Sequence, residues 1–367
     1  MKKKLLIFAV AGFALASCSS DETTASLANS GANEISFRPL NGGVTRAADI
    51  TGFTSTPFMV RAMKGDPAAT YFPETQYSYD SGASAWTSTN KYYWPSDDGV
   101  LTFYAYAPTS NAQFTHTTGE NTFVVTPSTT ATEQVDLVYA TATGQKSTSS
   151  TGVTLTFGHV ESKVIIKLLN SNPNLKITAN KVVIGNVKNK GTYTMGTGWD
   201  LSAASNTSYT QSFSGTEYTT AAQAGVDMIL IPQTLTNATA YSSSDAGAEF
   251  DGSYIKVDLK IQNNVSPYAY IVGANDGYVT ALFPLPATTW TPGYKYIYSV
   301  DLAGGGYYPT NTSAGTGDAL DPILAGAEIK FVTVTVSDWT PYDGDGNGSA
   351  DADGDSDTNN DPINVGM

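Results

Sequence analysis

The chain has 367 residues, with 19 Lys and Arg against 33 Asp and Glu, a formal net charge of −14 and a pI near 4.4. This charge argues against nucleic acid as a partner, because phosphate binding needs a basic surface. Only 14% of the residues are charged, whereas 22 are Tyr and 34 are Gly, which favours an all-β protein over a helical bundle. One cysteine and two histidines exclude internal disulfides and zinc sites built from His/Cys clusters.

The first 18 residues are typical of a bacterial lipoprotein signal. Three lysines precede an apolar run over Leu5–Leu15, which is too short to span a bilayer, and small residues then lead to Cys18. In such a lipobox the cysteine thiol carries a diacylglycerol, and several acyl chains together give stable anchoring. We therefore expect residues 1–18 to be a signal peptide and Cys18 to attach the protein to outer-membrane lipid. The acidic segment Ser19–Glu22 resembles the export signals that send Bacteroidetes lipoproteins to the cell surface.

The body of the chain has the pattern of short β-strands. Runs rich in Val, Ile, Tyr, Phe and Thr alternate apolar with polar residues and are separated by Gly, Asn, Asp, Ser and Pro, as in half-buried antiparallel strands. Such strands bury their apolar faces when two sheets stack, so we predict two β-sandwiches in series. The predicted strands include Ile35–Phe37, Leu101–Tyr106, Val153–Phe157, Val164–Leu168, Tyr254–Ile261 and Lys330–Val336.

The length and one polar segment predict where the sandwiches meet. At roughly 100–200 residues per domain, the chain is long enough for two. Asn170–Asn174 is polar and contains a proline, so we place the seam there. The predicted division is a tether with a removable first strand over 19–46, an N-terminal domain over 47–172 and a C-terminal domain over 173–340. Short helical turns are predicted only within Ala131–Tyr139 and Thr219–Ala224.

Residues 341–367 read as an acidic tail with a short apolar end. Seven aspartates lie within residues 343–361 among Gly, Ser, Ala and Asn, a composition that predicts disorder unless cations bind. Four residues have the spacing of a calcium loop, although no Glu follows to complete an EF-hand. A weak calcium site and a simple acidic spacer both remain open. The four residues are Asp343, Asp345, Asn347 and Asp351.

Five short sequence phrases resemble those of fimbrillins, the Bacteroidales pilus subunits, and of their Mfa-like or fimbrillin-like lipoprotein relatives. They occur in the same order as in that family. The resemblance spans most of the chain and implies two transthyretin-like β-sandwich domains, lipoprotein export, proteolytic maturation at the cell surface and polymerisation by strand exchange. The phrases are Phe103–Pro108, Phe157–Val164, Ile229–Gln233, Trp290–Tyr296 and Val334–Trp339.

Each phrase also has an explanation in the fold alone. Aromatic and β-branched runs fill a sandwich core, and Pro292-Gly293 sets the geometry of a turn. His159 is expected to be a packed or hydrogen-bonded structural residue, because no second His, Cys or carboxylate cluster lies near it in the sequence.

Arg46 is the candidate site of maturation. It lies in a stretch of small residues with two glycines, the kind of accessible loop that a trypsin-like protease cuts, and fimbrillins are similarly cut after an Arg near this point. Upstream, Asn33–Leu40 is a predicted strand with Ile35 and Phe37 on one face. Cleavage between Arg46 and Ala47 would release this strand together with the lipid anchor.

Release of the strand would leave an apolar groove with unpaired backbone groups, which a strand from another fimbrillin subunit could fill. Such a head-to-tail contact repeats into an open filament. In the alternative interpretation, Arg46 is a solvated linker residue and the lipoprotein stays monomeric at the cell surface, where it binds a glycan or a host protein.

The source of the exchanged strand stays open in the sequence. Beyond Trp339 only Ile363, Val365 and Met367 alternate with polar or small residues, which makes a thin donor strand. These three side chains could insert with the acidic segment as a spacer, or the subunit could accept a strand without donating one and cap the filament. Donation by a strand before Trp339 is the third option.

The sequence is also compatible with two other function classes, an enzyme and a binding module. No phosphate-binding loop, dinucleotide fingerprint, nucleophile elbow or HExxH motif occurs, so no catalytic residue is predicted, although motifs cannot exclude a glycosidase built on two carboxylates. A cluster of exposed aromatic rings would support glycan or host-protein binding, but most of the aromatic residues in the first domain are expected to be core or cross-strand partners. They are Tyr71, Phe72, Tyr77, Tyr79, Trp86, Tyr92, Tyr93 and Trp94.

Overall fold

The computed structural model describes residues 33–40, 53–218, 226–241, 250–310, 320–324, 332–339 and 363–364. These residues form β-strands and two three-residue 3₁₀ turns, Ala131–Glu133 and Leu302–Gly304. The predicted all-β class is therefore confirmed. Among the described residues, no helix is long and apolar enough to cross a membrane. Thr219–Ala224, where a second helical turn was predicted, lies outside them.

The strands follow one another closely along the chain. In the first half they are β1 (Phe37–Leu40), β2 (Phe58–Lys64), β3 (Ala69–Asp80), β4 (Ala85–Thr87), β5 (Leu101–Ala107), β6 (Phe114–His116), β7 (Thr122–Val125), β8 (Val138–Gly144), β9 (Val153–Thr156) and β10 (Gly158–His159). In the second half they are β11 (Ser162–Leu169), β12 (Leu175–Lys188), β13 (Gly191–Thr194), β14 (Gly198–Asp200), β15 (Asn206–Tyr218), β16 (Val226–Leu230), β17 (Tyr254–Asn263), β18 (Tyr270–Val272), β19 (Val279–Pro284), β20 (Tyr294–Asp301), β21 (Thr333–Asp338) and β22 (Ile363–Asn364).

A six-stranded sheet, in the order β10-β8-β5-β2-β3-β4, is the central layer of the first half. Both of its faces are covered. On β5, Phe103 and Ala105 pack into the same core as β1 and β9, whereas Tyr106 packs against Phe123 of the four-stranded sheet β14-β13-β7-β6. Burial on both faces explains why Leu101–Ala107 is apolar at nearly every position, since a strand covered on one face only needs alternate apolar residues.

The second half is a sandwich of two sheets. One has the order β16-β11-β20-β21-β22, and the other has the order β15-β12-β17-β18, with β19 also paired to β17. The inward side chains recur at every second residue, as the pleat of a strand requires. On β11 they are Val164, Ile166 and Leu168, and on β17 they are Ile255, Val257, Leu259 and Ile261, all at most 2% exposed. These stacked open sheets agree with the predicted β-sandwich architecture.

Two segments connect the halves across the predicted seam. β11 precedes Asn170–Asn174, yet its sheet partners are β16 and β20 in the second half. The hairpin β13–β14 follows the seam, yet β13 pairs with β7 in the first half. Sheet pairing shows where strands lie and does not show which segments fold alone, so the boundary after residue 172 stays a prediction.

His116 joins the outer four-stranded sheet to the central sheet through a buried polar contact. Its Nε2 lies 2.7 Å from Glu74 Oε1 and its Nδ1 lies 3.1 Å from the Thr122 carbonyl oxygen. Both neighbours are acceptors, so both ring nitrogens donate only when the ring is an imidazolium. Burial alone disfavours this charge, but the hydrogen bonds to Glu74 and Thr122 and the carboxylate charge together raise the pKa of His116.

Glu74 is stabilised as a carboxylate in the same contact. Burial alone would raise its pKa, but hydrogen bonds from His116, from the Gly119 N–H and from the Tyr106 hydroxyl lower the pKa of Glu74 below its ordinary value of 4.5. Because its pKa is raised, His116 contributes stability that is fully present below pH 6.5 and is lost as the pH rises through the folded-state pKa. Because its pKa is lowered, Glu74 contributes stability that is fully present above pH 4.5 and is lost as the pH falls through the folded-state pKa.

We therefore expect the pair to stabilise the fold most between pH 4.5 and 6.5, the ordinary pKa values of the two groups. In this window Glu74→Gln should lower the free energy of unfolding by about 2 kcal/mol, because a charge-assisted hydrogen bond is lost. The loss should shrink as the pH is raised to 8 or above. Urea denaturation across this pH range measures the loss, with Glu120→Gln as the control, because Glu120 is exposed in the turn between β6, which carries His116, and β7. A loss that is the same at every pH would contradict the imidazolium assignment.

Candidate functional site

Asn33–Leu40 completes the backbone pairing of the first half. β1 runs parallel to β9, with Phe37 opposite Val153 and Leu40 opposite Thr156. The Val153 N–H donates to the Ser36 carbonyl oxygen at 2.8 Å. The segment therefore satisfies backbone groups along the edge of β9 that would otherwise be unpaired.

The start of the same segment pairs with a second stretch of chain. The Ile35 N–H donates to the Tyr92 carbonyl oxygen at 2.8 Å, and the Trp94 N–H donates to the Asn33 carbonyl oxygen at 2.9 Å. An ion pair between Glu34 and Lys91, 2.9 Å long, lies beside these bonds. The Lys91 side chain is 60% exposed, so this ion pair holds the segment only weakly. Backbone pairing and apolar burial are the main attachments.

Ile35 and Phe37, the two residues predicted to share one face, are buried in the core of the first half. They are 2% and 1% exposed. The Phe37 ring meets Tyr77 and Phe103 edge-on, with ring centroids 4.9 and 5.3 Å apart. Burial of each such side chain contributes about 1.5–3 kcal/mol. Removal of the strand would therefore expose an apolar groove beside Tyr77 and Phe103.

The predicted cleavage site lies between two buried anchors. Arg46 and Ala47 are outside the described residues, as are Cys18 and the calcium candidates Asp343, Asp345, Asn347 and Asp351. The chain is described again from Phe53, which is 3% exposed and packs on Phe157 with ring centroids 4.2 Å apart. Cleavage after Arg46 would thus separate Phe37 from Phe53 in the chain while leaving Phe53 in the retained part.

At the other end of the chain, β22 lies at the edge of the second sandwich. Its backbone pairs antiparallel with β21, with Ile363 opposite Val336 and Asn364 opposite Thr335. Val365 and Met367 lie outside the described residues. One of the three predicted donor residues therefore pairs along the strand in its own subunit, and its transfer to another subunit stays a prediction.

Three of the sequence phrases meet where the two halves join. The Gly293 N–H donates to the Glu161 carbonyl oxygen at 2.8 Å, and the Trp339 N–H donates to the Gly293 carbonyl oxygen at 2.7 Å. The Ser162 hydroxyl donates to the Thr291 carbonyl oxygen at 2.8 Å. The phrases around His159, Gly293 and Trp339 are thus joined by direct hydrogen bonds, which gives them a structural role.

His159 is packed and hydrogen-bonded, as expected. Its ring lies parallel to the Trp339 ring, with centroids 3.8 Å apart, and its Nδ1 lies 2.9 Å from Asp136 Oδ2. The sequence reasoning missed Asp136 because it lies 23 residues before the histidine. It also missed Glu161, which is 1% exposed. Burial and the charge of Asp136 raise the pKa of Glu161 well above its ordinary value. A carboxylate two residues after His159 in a strand-forming phrase was the available signal.

The aromatic residues of the first domain do not form an exposed platform. Phe72, Tyr77 and Trp94 are buried in the core, and Tyr71, Trp86 and Tyr92 pack against it. Tyr79 is half-buried against Trp86, and Tyr93 is 52% exposed. The expectation that most of these rings are core or cross-strand partners is confirmed.

We expect Phe37→Ala to lower the free energy of unfolding of the uncleaved protein by about 4 kcal/mol, because the ring fills a closed core. Arg38→Ala, on the other face of the same strand, is the matched control and should change it by less than about 0.5 kcal/mol. Urea denaturation followed by tryptophan fluorescence measures both. Equal losses of unfolding free energy in the two variants would show that burial of Phe37 does not hold the strand in place.

A family model and a solved structure resemble this chain over most of its length. The model of the fimbrillin-like family matches residues 45–339. A fimbrial protein from Bacteroides vulgatus has a similar fold, with a TM-score of 0.54 and 16% identity over 84% of this chain and 100% of that one. The fimbrial anchor protein Mfa2 from Porphyromonas gingivalis aligns at a TM-score of 0.33 and 9% identity, over 84% of this chain and 99% of Mfa2. No curated protein sequence matches. Since the family model covers most of the length, the chain belongs to the fimbrillin-like family of pilus-type proteins.

Proposed function

We propose that this protein is a structural subunit of a cell-surface fimbria, matured by cleavage after Arg46 and assembled by strand exchange. The observation that carries the proposal is the position of Asn33–Leu40. This segment precedes Arg46 in the chain, yet it supplies Ile35 and Phe37 to the core at 2% and 1% exposure. Cutting the connection converts an intramolecular strand into a separate peptide.

Once cut, the strand is held only by non-covalent contacts. Its backbone pairs with β9 and with Tyr92–Trp94, and a strand of another subunit could make the same backbone bonds because these do not depend on side-chain identity. The side chains that replace Ile35 and Phe37 decide how well the groove is filled. Strand exchange therefore replaces the contacts of the severed strand with similar contacts from another subunit. The severed peptide is no longer tethered to the groove, so it is lost by dilution once it dissociates.

Maturation also changes the charge of the subunit. Residues 1–46 carry five basic side chains and three acidic ones, a net of 5 − 3 = +2, so the remainder carries −14 − 2 = −16. Subunits with this net negative charge repel one another, which keeps free subunits apart and soluble. Assembly then requires a specific attachment that overcomes this repulsion, and an inserted strand with a buried apolar face would supply one.

We propose the following partners and location. The precursor is a lipoprotein held at the outer membrane through Cys18 and exposed at the cell surface, where a trypsin-like protease cuts between Arg46 and Ala47. The mature subunit joins other fimbrillin subunits head to tail, as a stalk, tip or accessory pilin. Ile363, Val365 and Met367 are the donor candidates, and the acidic segment before them acts as a spacer with or without weakly bound calcium. We propose no catalytic role.

Arg46→Ala tests the proposal. Protein shed from the native cells should begin at Ala47 and form a ladder on an unboiled gel, whereas the variant should keep acylated Cys18 and form none. Thr45→Ala leaves the arginine in place and should behave as wild type. Arg38 precedes a proline, a bond that trypsin-like proteases cut poorly, so it should not substitute for Arg46.

A wild-type protein that starts at Cys18 and forms no ladder would overturn the proposal. That result would favour the monomeric surface lipoprotein that binds a glycan or a host protein. A start at Ala47 without a ladder would retain the cleavage and reject the assembly.

A further inference from the structure

The exposed large hydrophobic residues of the described chain are concentrated at two places. Seven such residues are more than a third exposed, and six of them fall into two groups. Four lie between residues 265 and 271, two are Tyr93 and Val100 in the segment that precedes β5, and the seventh, Val124, lies on β7. A concentration of this kind marks an interaction surface, whereas scattered exposed side chains do not.

We define the C-terminal patch as Val265, Tyr268, Tyr270 and Ile271, which are 70%, 49%, 37% and 45% exposed. It follows β17, whose last residue, Asn263, pairs with Leu175, the first residue of β12. The other end of β12 approaches the junction of the two halves, where the Lys188 N–H donates to Gln233 Oε1. The C-terminal patch therefore lies at the end of the second sandwich that is remote from the first.

The C-terminal patch is held in place by its own loop. Tyr268 has a φ of 55°, a left-handed conformation that costs a bulky residue about 1–2 kcal/mol. Its carbonyl oxygen accepts from Gln262 Nε2 at 2.9 Å, and its N–H donates to the Val265 carbonyl oxygen at 2.7 Å. The strain is not compensated by burial of the Tyr268 ring, which is half exposed. Strain at a preorganised exposed side chain is typical of a binding surface.

We define the N-terminal patch as Tyr93 and Val100, each 52% exposed. Val100 precedes Leu101, which pairs with Lys64 and Gly144 at the end of the central sheet remote from the junction. The junction end of the sheet is marked by His159 opposite Val138. The N-terminal patch therefore lies at the end of the first half that is remote from the second.

Tyr93 also marks the entrance to the candidate groove. It forms a β-bridge with Glu34, within the segment that cleavage would release. The C-terminal patch lies on the side of the second sandwich toward which β22 runs, because β22 is antiparallel to β21 and β21 ends beside Trp339 at the junction. A donor strand that continued from β22 would leave its subunit near the C-terminal patch and enter a groove beside the N-terminal patch.

We infer that the C-terminal patch of one copy seats on the N-terminal patch of the next copy in the filament. This inference rests on the proposed function and names the surface on which the subunit bodies meet. The two patches differ and lie at opposite ends, so the contact is heterologous and repeats without closing. The tyrosines suit such a contact, because aromatic residues are enriched at protein–protein interfaces. One lysine lies beside each ring, with Lys176 Nζ 6.0 Å from the Tyr268 ring centroid and Lys260 Nζ 5.9 Å from that of Tyr270.

The first test removes the C-terminal patch from the full chain expressed in its native cells. The double variant Tyr268→Ser with Tyr270→Ser should still be cleaved after Arg46, but it should yield at least about tenfold less ladder. A tenfold loss corresponds to about 1.4 kcal/mol of binding free energy between subunits. Val124→Ser removes the one exposed large hydrophobic residue that the described part of the chain has outside the patches, and it should give a wild-type ladder. Thermal unfolding of both variants checks that folding is retained.

The second test identifies which surfaces meet. Cys18 is the only cysteine and is removed by maturation, so introduced thiols can be joined selectively with a short bis-maleimide. A mixture of Tyr268→Cys and Val100→Cys subunits should give cross-linked dimers at several times the yield of either variant alone. Cross-linking of Tyr268→Cys with itself at equal yield would overturn the head-to-tail pairing.

A full ladder from the double variant would overturn the inference while leaving the strand exchange intact. The absence of a ladder from wild type would instead reject the proposed function, and the patch contact with it. The two failures are therefore distinguishable on the same gel.

Discussion

The first half of this protein depends on a strand that precedes Arg46, the proposed cleavage site, in the chain. Asn33–Leu40 pairs with β9 and with Tyr92–Trp94, and its two apolar side chains pack against Tyr77 and Phe103. The core therefore cannot close without this strand or a replacement. Backbone hydrogen bonds accept any extended chain, whereas the apolar groove selects for side-chain volume. This combination makes replacement by another subunit physically reasonable.

The junction of the two halves imposes a second constraint. Buried Asp136 pairs with His159, the His159 ring stacks on Trp339, and backbone bonds link Glu161, Gly293 and Trp339. A buried carboxylate needs such partners, because its desolvation is otherwise costly. The junction therefore ties Gly293 and Trp339 of the second sandwich to the first half.

The proposed assembly uses both ends of the molecule. The groove entrance near Tyr93 lies at one end, and the strained loop around Tyr268 lies at the other. An inserted strand gives a long, directional attachment, and a small apolar contact between bodies sets the angle at which subunits follow one another. Both are compatible with an acidic subunit that must stay apart from its neighbours until it is cut.

The residue pattern predicts the all-β class and the strand cores, because alternation in stretches such as Tyr254–Ile261 reports which face of a strand is buried, and its five phrases predict the family. It also singled out Ile35 and Phe37 from their spacing alone. The folded structure was needed to show that β5 is covered on both faces, that β11 pairs with strands of the second half and that Asp136 meets His159. It also decided that Tyr93 and Tyr268 are exposed while Tyr77 is buried. These facts depend on contacts between residues far apart in the chain, and local patterns carry no information about which distant segments meet.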